Sequence, residues 1–206
     1  MAKLRERMKL ARVAAQLNAQ SRSATRVPAL ALLSDDVRLP APVEAIKALP
    51  KGSLVILRAQ DPLRRAQLAQ SCAPICRARH HVLLIADDPA LASRCGADGL
   101  HLPEARRDAL SYWRTRRRDW FISYAVHDLA ALHHAAKGGA DVALVSSVFA
   151  SQSHPGGKSL GPFRLAAFCR AAQLPVYGLG GIDGQNCLRI RGLKLAGLAA
   201  IGALSA

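Results

Sequence analysis

Aromatic residues and long apolar segments are both scarce in this sequence. Phe, Trp and Tyr together make up 4% of the 206 residues, which leaves few side chains that could stack on the bases of single-stranded nucleic acid. No window of about 18 residues is apolar and free of charge, so we expect no membrane-spanning helix and no membrane partner. The first ten residues include Lys3, Arg5 and Arg7 and form no apolar secretory core. The expected location is the cytoplasm.

Acidic residues are also in short supply. The chain has 14 Asp and Glu against 29 Lys and Arg, which gives a formal net charge of +15. Such a surplus suits nucleic acid, anionic lipid or anionic small molecules as partners. Much of it lies in residues 3–12 and 106–118, whose simplest interpretation is two solvated helix faces. Nucleic acid ranks last among these partners, because the sequence resembles no recognised nucleic-acid-binding motif.

The five cysteines form neither a metal-binding nor a disulfide pattern. No Cys-x-x-Cys pair occurs, which argues against a zinc site. Without a secretion signal, free buried thiols are the expected state. The positions are Cys72, Cys76, Cys95, Cys169 and Cys187.

The chain does contain a regular alternation of short apolar segments and helical segments. Hydrophobic residues make up 50% of the sequence, enough for one core, and 206 residues are too few for two ordinary domains. The predicted strands are 29–33, 54–57, 82–85, 99–102, 120–124, 142–146, 176–179 and 197–201. The predicted helices are 3–20, 41–49, 62–79, 88–95, 104–117, 128–137, 163–172 and 184–192.

This alternation predicts an α/β fold, a closed (β/α)8 TIM barrel, rather than an open sheet. Strands that are apolar on both faces are typical of a parallel sheet covered by helices. We assign residues 1–25 to an N-terminal helical extension and residues 26–206 to a single barrel domain. Few residues follow the eighth strand, so we expect a truncated last helix. The N-terminal helix or a second subunit of a homodimer would then cover the apolar surface near strands one and eight.

Two adjacent glycines, Gly180 and Gly181, follow the predicted seventh strand. Backbone N–H groups without a neighbouring side chain can approach an anion closely, and the start of a following helix adds partial positive charge. Phosphate sites of barrels usually lie at the late strands. A tight turn that needs glycine would produce the same pattern. Both interpretations stay open on the residues alone.

Histidines follow two other strands, and a polar loop follows the sixth. His127 comes after strand five and could exchange protons near neutral pH, or it could form only a local hydrogen bond. His101 ends strand four, where a buried hydrogen-bonded role is as plausible as a catalytic one. Residues 146–161 are rich in hydroxyl groups and glycine and also contain His154 and Lys158, which is typical of a mobile lid or of an idle surface loop.

Taken together, these segments resemble the family of thiamine phosphate synthase and its TenI-like relatives. The resemblance runs from about residue 29 to residue 204. It rests on Ala-Asp-Gly-Leu-His-Leu at 97–102, His127, Ser-Val-Phe at 147–149, Pro175, and Gly-Gly-Ile-x-x-x-Asn at 180–186. It implies a protein of thiamine biosynthesis that binds a phosphorylated thiazole or aminopyrimidine.

The resemblance also implies roles for individual residues. Phosphate would bind at Gly180 and Gly181, and at Gly202, which stands where the family has Ser. The other substrate-binding positions would be Arg58, Ser151, Ser153, His154 and Lys158. The family's strand-two donors are largely lost, because Ile56 and Gln60 flank the retained Arg58.

Magnesium in this family is held by carboxylates after strands three and four. Here Asp87 follows Ala86 at the first of these positions, whereas the second carries Arg106. A guanidinium group in place of a carboxylate inverts the local field. A two-carboxylate Mg²⁺ site is therefore not expected, and Asp87 is left as the one candidate metal ligand.

The resemblance and its departures leave several hypotheses. The first is a TenI-like tautomerase that aromatises a thiazole carboxylate phosphate, with His127 as the catalytic proton carrier. The second is a working thiamine phosphate synthase, which joins an aminopyrimidine diphosphate to a thiazole phosphate, with Arg58, Arg106 and Lys158 in place of the lost donors. The third is a non-catalytic barrel that binds a phosphorylated ligand or nucleic acid.

Overall fold

The computed structural model describes residues 2–21, 27–150 and 159–205. Its strands form one closed parallel barrel in chain order, which confirms the predicted (β/α)8 TIM-barrel class. The strands are β1 (Leu30–Leu33), β2 (Leu54–Leu57), β3 (Val82–Ala86), β4 (Gly99–Leu102), β5 (Phe121–Val126), β6 (Val142–Val145), β7 (Val176–Leu179) and β8 (Gly197–Ala200). The barrel closes where β1 pairs with β8, with Ala31 opposite Ala199.

Helices surround this barrel. They are α1 (Ala2–Gln20), α2 (Val43–Lys47), α3 (Pro62–Ala78), α4 (Pro89–Cys95), α5 (Arg107–Arg116), α6 (Leu129–Lys137) and α7 (Gly161–Ala171). Two short 3₁₀ helices, Cys187–Ile190 and Gly202–Leu204, follow β7 and β8. The last outer helix is thus truncated, as expected.

The predicted helix at 184–192 is wrong, because only the 3₁₀ helix Cys187–Ile190 forms there. The cause lies in the residues that precede it. The Asp183 carboxylate accepts hydrogen bonds from the backbone N–H groups of Gln185 and Asn186, at 2.8 and 2.9 Å. Such local side-chain bonds compete with the α-helical pattern. The segment therefore forms a tight loop before its single 3₁₀ turn.

Aspartates fix the starts of several outer helices. The Asp61 carboxylate accepts from the backbone N–H groups of Leu63 and Arg64 at the start of α3. Asp88 and Asp128 cap α4 and α6 in the same way. Each of these bonds satisfies a backbone donor that has no partner inside its helix. The caps set where each helix leaves the rim of the barrel.

The core is continuous from the barrel strands to α1. Four apolar residues of α1 are buried and recur at helical spacing, namely Leu10, Val13, Ala14 and Leu17, and the helix packs against β1 and β8. On the same face, the Asn18 side-chain amide donates to the Ala196 carbonyl at 2.6 Å, directly before β8. The N-terminal helix therefore covers the surface that a full eighth helix would otherwise occupy.

Two further expectations concern the cysteines and membrane-spanning helices. All five cysteines are free thiols, and burial raises the pKa of Cys72 to about 11. Across the described ranges, no helix has the length and apolar character needed to cross a bilayer.

Loss of a buried leucine from α1 should destabilise the barrel. Leu17 is fully buried, so Leu17→Ala should lower the free energy of unfolding by about 2–5 kcal/mol through lost contacts and a cavity. Leu4 lies on the same helix and is 47% exposed, so Leu4→Ala is the matched control. Urea titration measures both variants. Equal stability of Leu17→Ala and wild type would show that α1 is not part of the cooperative core.

Candidate active site

A cavity of about 750 Å³ opens at the carboxyl ends of the strands. In a closed parallel barrel all these ends lie on one rim, so side chains that follow different strands meet there. The residues that follow the strands and line it include Asp35, Arg58, Asp87, His127, Ser146 and Gly180. The rim thus assembles groups that are far apart in the sequence.

Four predicted site residues line this one cavity: Arg58, Asp87, His127 and Gly180. Gly181 follows Gly180, and Gly202 follows Ile201, which also lines the cavity. The other predicted substrate-binding positions lie outside the described residues. These are Ser151, Ser153, His154 and Lys158.

Only glycine fits at the two positions after β7. Gly180 and Gly181 have φ angles of +95° and +63°, which lie in the left-handed region that other residues rarely adopt. A Cβ atom at Gly181 would also lie 2.7 Å from the Phe149 carbonyl oxygen. The glycines are therefore required by a tight turn. This requirement is compatible with anion binding by their N–H groups.

Among the described residues, the backbone carbonyls of the glycine pair have hydrogen-bond partners, whereas the N–H groups do not. The Gly180 carbonyl accepts from the Phe149 N–H at 3.0 Å, and the Gly181 carbonyl accepts from the Asn186 side-chain amide at 2.7 Å. Within the part of the chain that the structure describes, neither glycine N–H donates to a protein acceptor. Two fixed backbone donors therefore stand available beside the cavity.

The His127 ring is held in one orientation by the strand that follows it. Its Nδ1 lies 3.1 Å from the Ser146 backbone carbonyl. The Ser146 hydroxyl oxygen lies 3.3 Å from the same Nδ1. A neutral ring with its proton on Nδ1 donates to the carbonyl, whereas the other tautomer accepts at Nδ1 from the hydroxyl. In the first tautomer, Nε2 is an unprotonated acceptor. An exposed imidazole of this tautomer can take a proton from a ligand in the cavity.

His101 also lines the cavity, but it is buried whereas His127 is exposed. Its ring is buried, and its Nδ1 lies 2.9 Å from the Ser123 hydroxyl oxygen. Burial, together with the nearby charge of Arg58, lowers the pKa of His101 to about 3. The ring is therefore neutral at physiological pH and serves as a hydrogen-bonding group rather than as an imidazolium acid.

Arginines surround the cavity, and most of them already have a carboxylate partner. Arg38 pairs with Asp35 at 2.7 Å, and this bond holds the pKa of Asp35 well below its usual range. Arg65 pairs with Asp88 at 3.3 Å. Arg58 has no ion pair within the described ranges. Its guanidinium is therefore the lining cation that is left for a ligand.

The residues around Asp87 do not fit a Mg²⁺ ion. Both carboxylate oxygens of Asp87 accept from the Arg106 Nε at 2.9 Å. A guanidinium at this distance satisfies the carboxylate and places a positive charge where a cation would have to sit. No group of three metal-ligating side chains forms among the residues described.

Several residues that line the cavity were not predicted from the sequence. Asp35, Arg38 and Arg65 were not singled out, although all three line the cavity. Asp35 could have been predicted, because it comes two residues after the end of β1. The other site residues likewise follow the ends of their strands. Arg65 gave no such signal, because it lies one turn inside α3 and reaches the rim only through the fold.

The fold and the cavity define a (β/α)8 barrel with a small-molecule site at its strand ends. The sequence pattern of the family described as thiamine monophosphate synthase matches residues 35–204. The chain belongs to this family, whose eponymous enzyme is a transferase of thiamine biosynthesis.

Individual relatives agree with this assignment. The chain is 32% identical to a thiamine-phosphate synthase of Herpetosiphon aurantiacus, over 79% of this chain and 81% of the relative. It is 31% identical to the chloroplastic thiamine biosynthetic bifunctional enzyme of Arabidopsis thaliana, over 79% of this chain but only 32% of that enzyme. The chain thus spans about a third of the length of this plant relative.

A solved structure supports the fold. Thiamine phosphate pyrophosphorylase from Pyrococcus furiosus superposes with a TM-score of 0.72, covering 90% of this chain and 87% of that chain at 21% identity. At this level of identity the likeness concerns the barrel itself.

An alanine in the glycine pair should strain the loop. Gly181→Ala should cost about 1–2 kcal/mol of folding stability from the left-handed backbone alone, and more from the contact with Phe149. Gly192→Ala is the control, because a Cβ atom there meets no atom within 4 Å. Thermal and urea unfolding measure both. Two variants of equal stability would contradict the described geometry.

Stability should depend on pH through His101. The pKa of about 3 in the folded chain compares with 6.5 for a free histidine. Between these values the unfolded chain binds a proton that the folded chain does not, so the free energy of unfolding falls as pH falls from about 6.5 toward 3.

The His101→Asn variant tests this dependence. Removing the titration should flatten the slope of stability against pH by up to about 1.4 kcal/mol per pH unit. His133→Asn, on the exposed side of α6, should keep the wild-type slope. Urea midpoints measured between pH 4 and pH 7 report the difference, and an unchanged slope in His101→Asn would refute the assignment.

Proposed function

We propose that this chain is a TenI-like thiazole tautomerase, which converts a thiazole carboxylate phosphate into its aromatic isomer. His127 carries the proton between two positions of the heterocycle. The free N–H groups of Gly180 and Gly181, with that of Gly202, bind the phosphate. The reaction is an isomerisation, so every atom and electron pair of the substrate is retained.

The exposed ring of His127 at the cavity wall is the observation that carries this proposal. When Nδ1 donates to the Ser146 carbonyl, 3.1 Å away, Nε2 is left to accept a proton from the ligand. The same nitrogen, once protonated, is the donor for the return step. One group can therefore act first as base and then as acid, as an isomerisation requires.

The arrangement of charge supports a substrate with a carboxylate. Arg58 is the unpaired lining guanidinium in the described part of the cavity wall, and a planar guanidinium matches a carboxylate well. We assign the substrate carboxylate to Arg58 and the phosphate to the glycine pair. An isomerisation expels no diphosphate, so the Asp87–Arg106 pair need not open to admit a metal.

A second candidate is thiamine phosphate synthase activity. It is favoured by the name of the Herpetosiphon relative, most of whose length the chain covers. In that reaction Arg58, Arg106 and Lys158 would meet the charge of the departing diphosphate. Incubation with the aminopyrimidine diphosphate, the thiazole phosphate and Mg²⁺ distinguishes the two, because thiamine phosphate forms only with a synthase.

Replacement of His127 should abolish turnover without unfolding the protein. His127→Ala should lower the rate of tautomerisation by about 100-fold or more, as expected for loss of a general acid–base group. Proton NMR of the thiazole carboxylate phosphate follows the conversion. His133→Ala is the matched control, because His133 is an exposed histidine on α6.

The outcomes are clear-cut. Loss of turnover in His127→Ala with full activity in His133→Ala supports the proposal. Unchanged turnover in His127→Ala removes this histidine from the mechanism, and no conversion by the wild type removes the tautomerase assignment.

A further inference from the structure

The N-terminal helix contacts the loop that carries the glycine pair. The carboxylate of Glu6, on α1, accepts a hydrogen bond from the Gly184 backbone N–H at 3.2 Å. Gly184 lies four residues after Gly180. Residues 2–20 precede the region of the family match, which begins at residue 35. An element outside the matched region therefore bonds directly to the loop after β7.

Gly184 is glycine because α1 lies against it. A Cβ atom at this position would lie 3.0 Å from the Glu6 Cα and 3.1 Å from the Glu6 Cβ. Unlike Gly180 and Gly181, Gly184 does not have a left-handed φ angle, so conformational freedom is not the reason for glycine here. The close approach of helix and loop is itself the constraint.

The loop between the glycine pair and the 3₁₀ helix is held by hydrogen bonds of its own side chains and by Ile182, which is buried in the core. The Asn186 side chain accepts from the Asp183 N–H at 3.0 Å and donates to the Gly181 carbonyl. Asp183 in turn accepts from the N–H groups of Gln185 and Asn186. Glu6 thus adds a hydrogen bond from α1 to this loop.

We propose that Glu6 is a positioning residue for anion binding: its bond to Gly184 fixes the loop so that the Gly180 and Gly181 N–H groups stay directed at one place. The inference rests on the proposed phosphate site. Preorganised donors bind an anion without the cost of ordering the loop on each binding event. The helix would then contribute to ligand affinity without touching the ligand.

The charge of Glu6 predicts the direction in which each substitution changes the affinity for phosphate. A carboxylate near an anion site opposes the anion electrostatically, so a role in binding must come from its hydrogen bond rather than its charge. Glutamine keeps the accepting oxygen and removes the charge. Glu6→Gln should therefore bind phosphate as well as the wild type or more tightly, whereas Glu6→Ala should bind it more weakly.

Calorimetric titration of the full-length chain with inorganic phosphate tests this. We expect Glu6→Ala to bind phosphate about threefold or more weakly, the effect of one lost hydrogen bond on loop order, and Glu6→Gln to stay within twofold of the wild type or above it. Glu44→Ala is the control, because it removes a carboxylate from the exposed surface of α2 and should leave phosphate affinity unchanged.

A second variant perturbs the same contact from the loop side. Gly184→Ala should weaken phosphate binding in the wild-type background, because the new methyl group collides with Glu6. In the Glu6→Ala background it should cost less, since part of the colliding side chain is gone. A double-mutant cycle on phosphate affinity measures this coupling, and unfolding curves check that each variant is folded.

Each result either supports or overturns the positioning role of Glu6. Coupling between positions 6 and 184, with Glu6→Gln retaining affinity, supports the positioning role. Wild-type affinity in Glu6→Ala, loss in Glu6→Gln equal to that in Glu6→Ala, or additive effects in the cycle would overturn it. Failure of the wild type itself to bind phosphate would instead remove the proposed phosphate site, while His127-dependent tautomerisation is measured separately.

Discussion

The pairing of β1 with β8 is the contact on which the rest of the structure depends. The register of Leu30 with Leu198 and Leu32 with Ala200 closes a sheet whose strands all run in the same direction. Closure removes both sheet edges and brings every carboxyl end to a single rim. Arg58 after β2 and Gly180 after β7 line one cavity because of it. The composition of the site is thus a consequence of closure as well as of the local glycine pair.

The arginines around that rim differ in whether they have a carboxylate partner. Arg38, Arg65 and Arg106 are each paired with an aspartate. Such partly exposed pairs contribute little to stability, but they fix side-chain direction and neutralise charge. Arg58 is left unpaired in the described structure, close enough to lower the pKa of His101. In the proposed function, an anionic ligand would meet this guanidinium and the backbone donors of the glycine pair.

The N-terminal helix makes two kinds of contact. Its buried face, with Leu10 and Leu17, packs where the truncated last helix leaves β1 and β8 uncovered. Its Glu6 reaches the loop after β7. One element thus contributes to the core and bonds to the proposed anion loop.

The sequence by itself determined the barrel, because apolar strands alternating with capped helices have few other ways to bury both faces of a sheet. It also predicted Arg58, Asp87, His127 and Gly180 at the site, since each directly follows a strand. It failed at 184–192, where the side chains of Asp183 and Asn186 bond locally to the backbone. Only the tertiary structure decided which charges are already neutralised and that Glu6 lies against Gly184. Those contacts join residues up to 178 positions apart, and no local pattern records them.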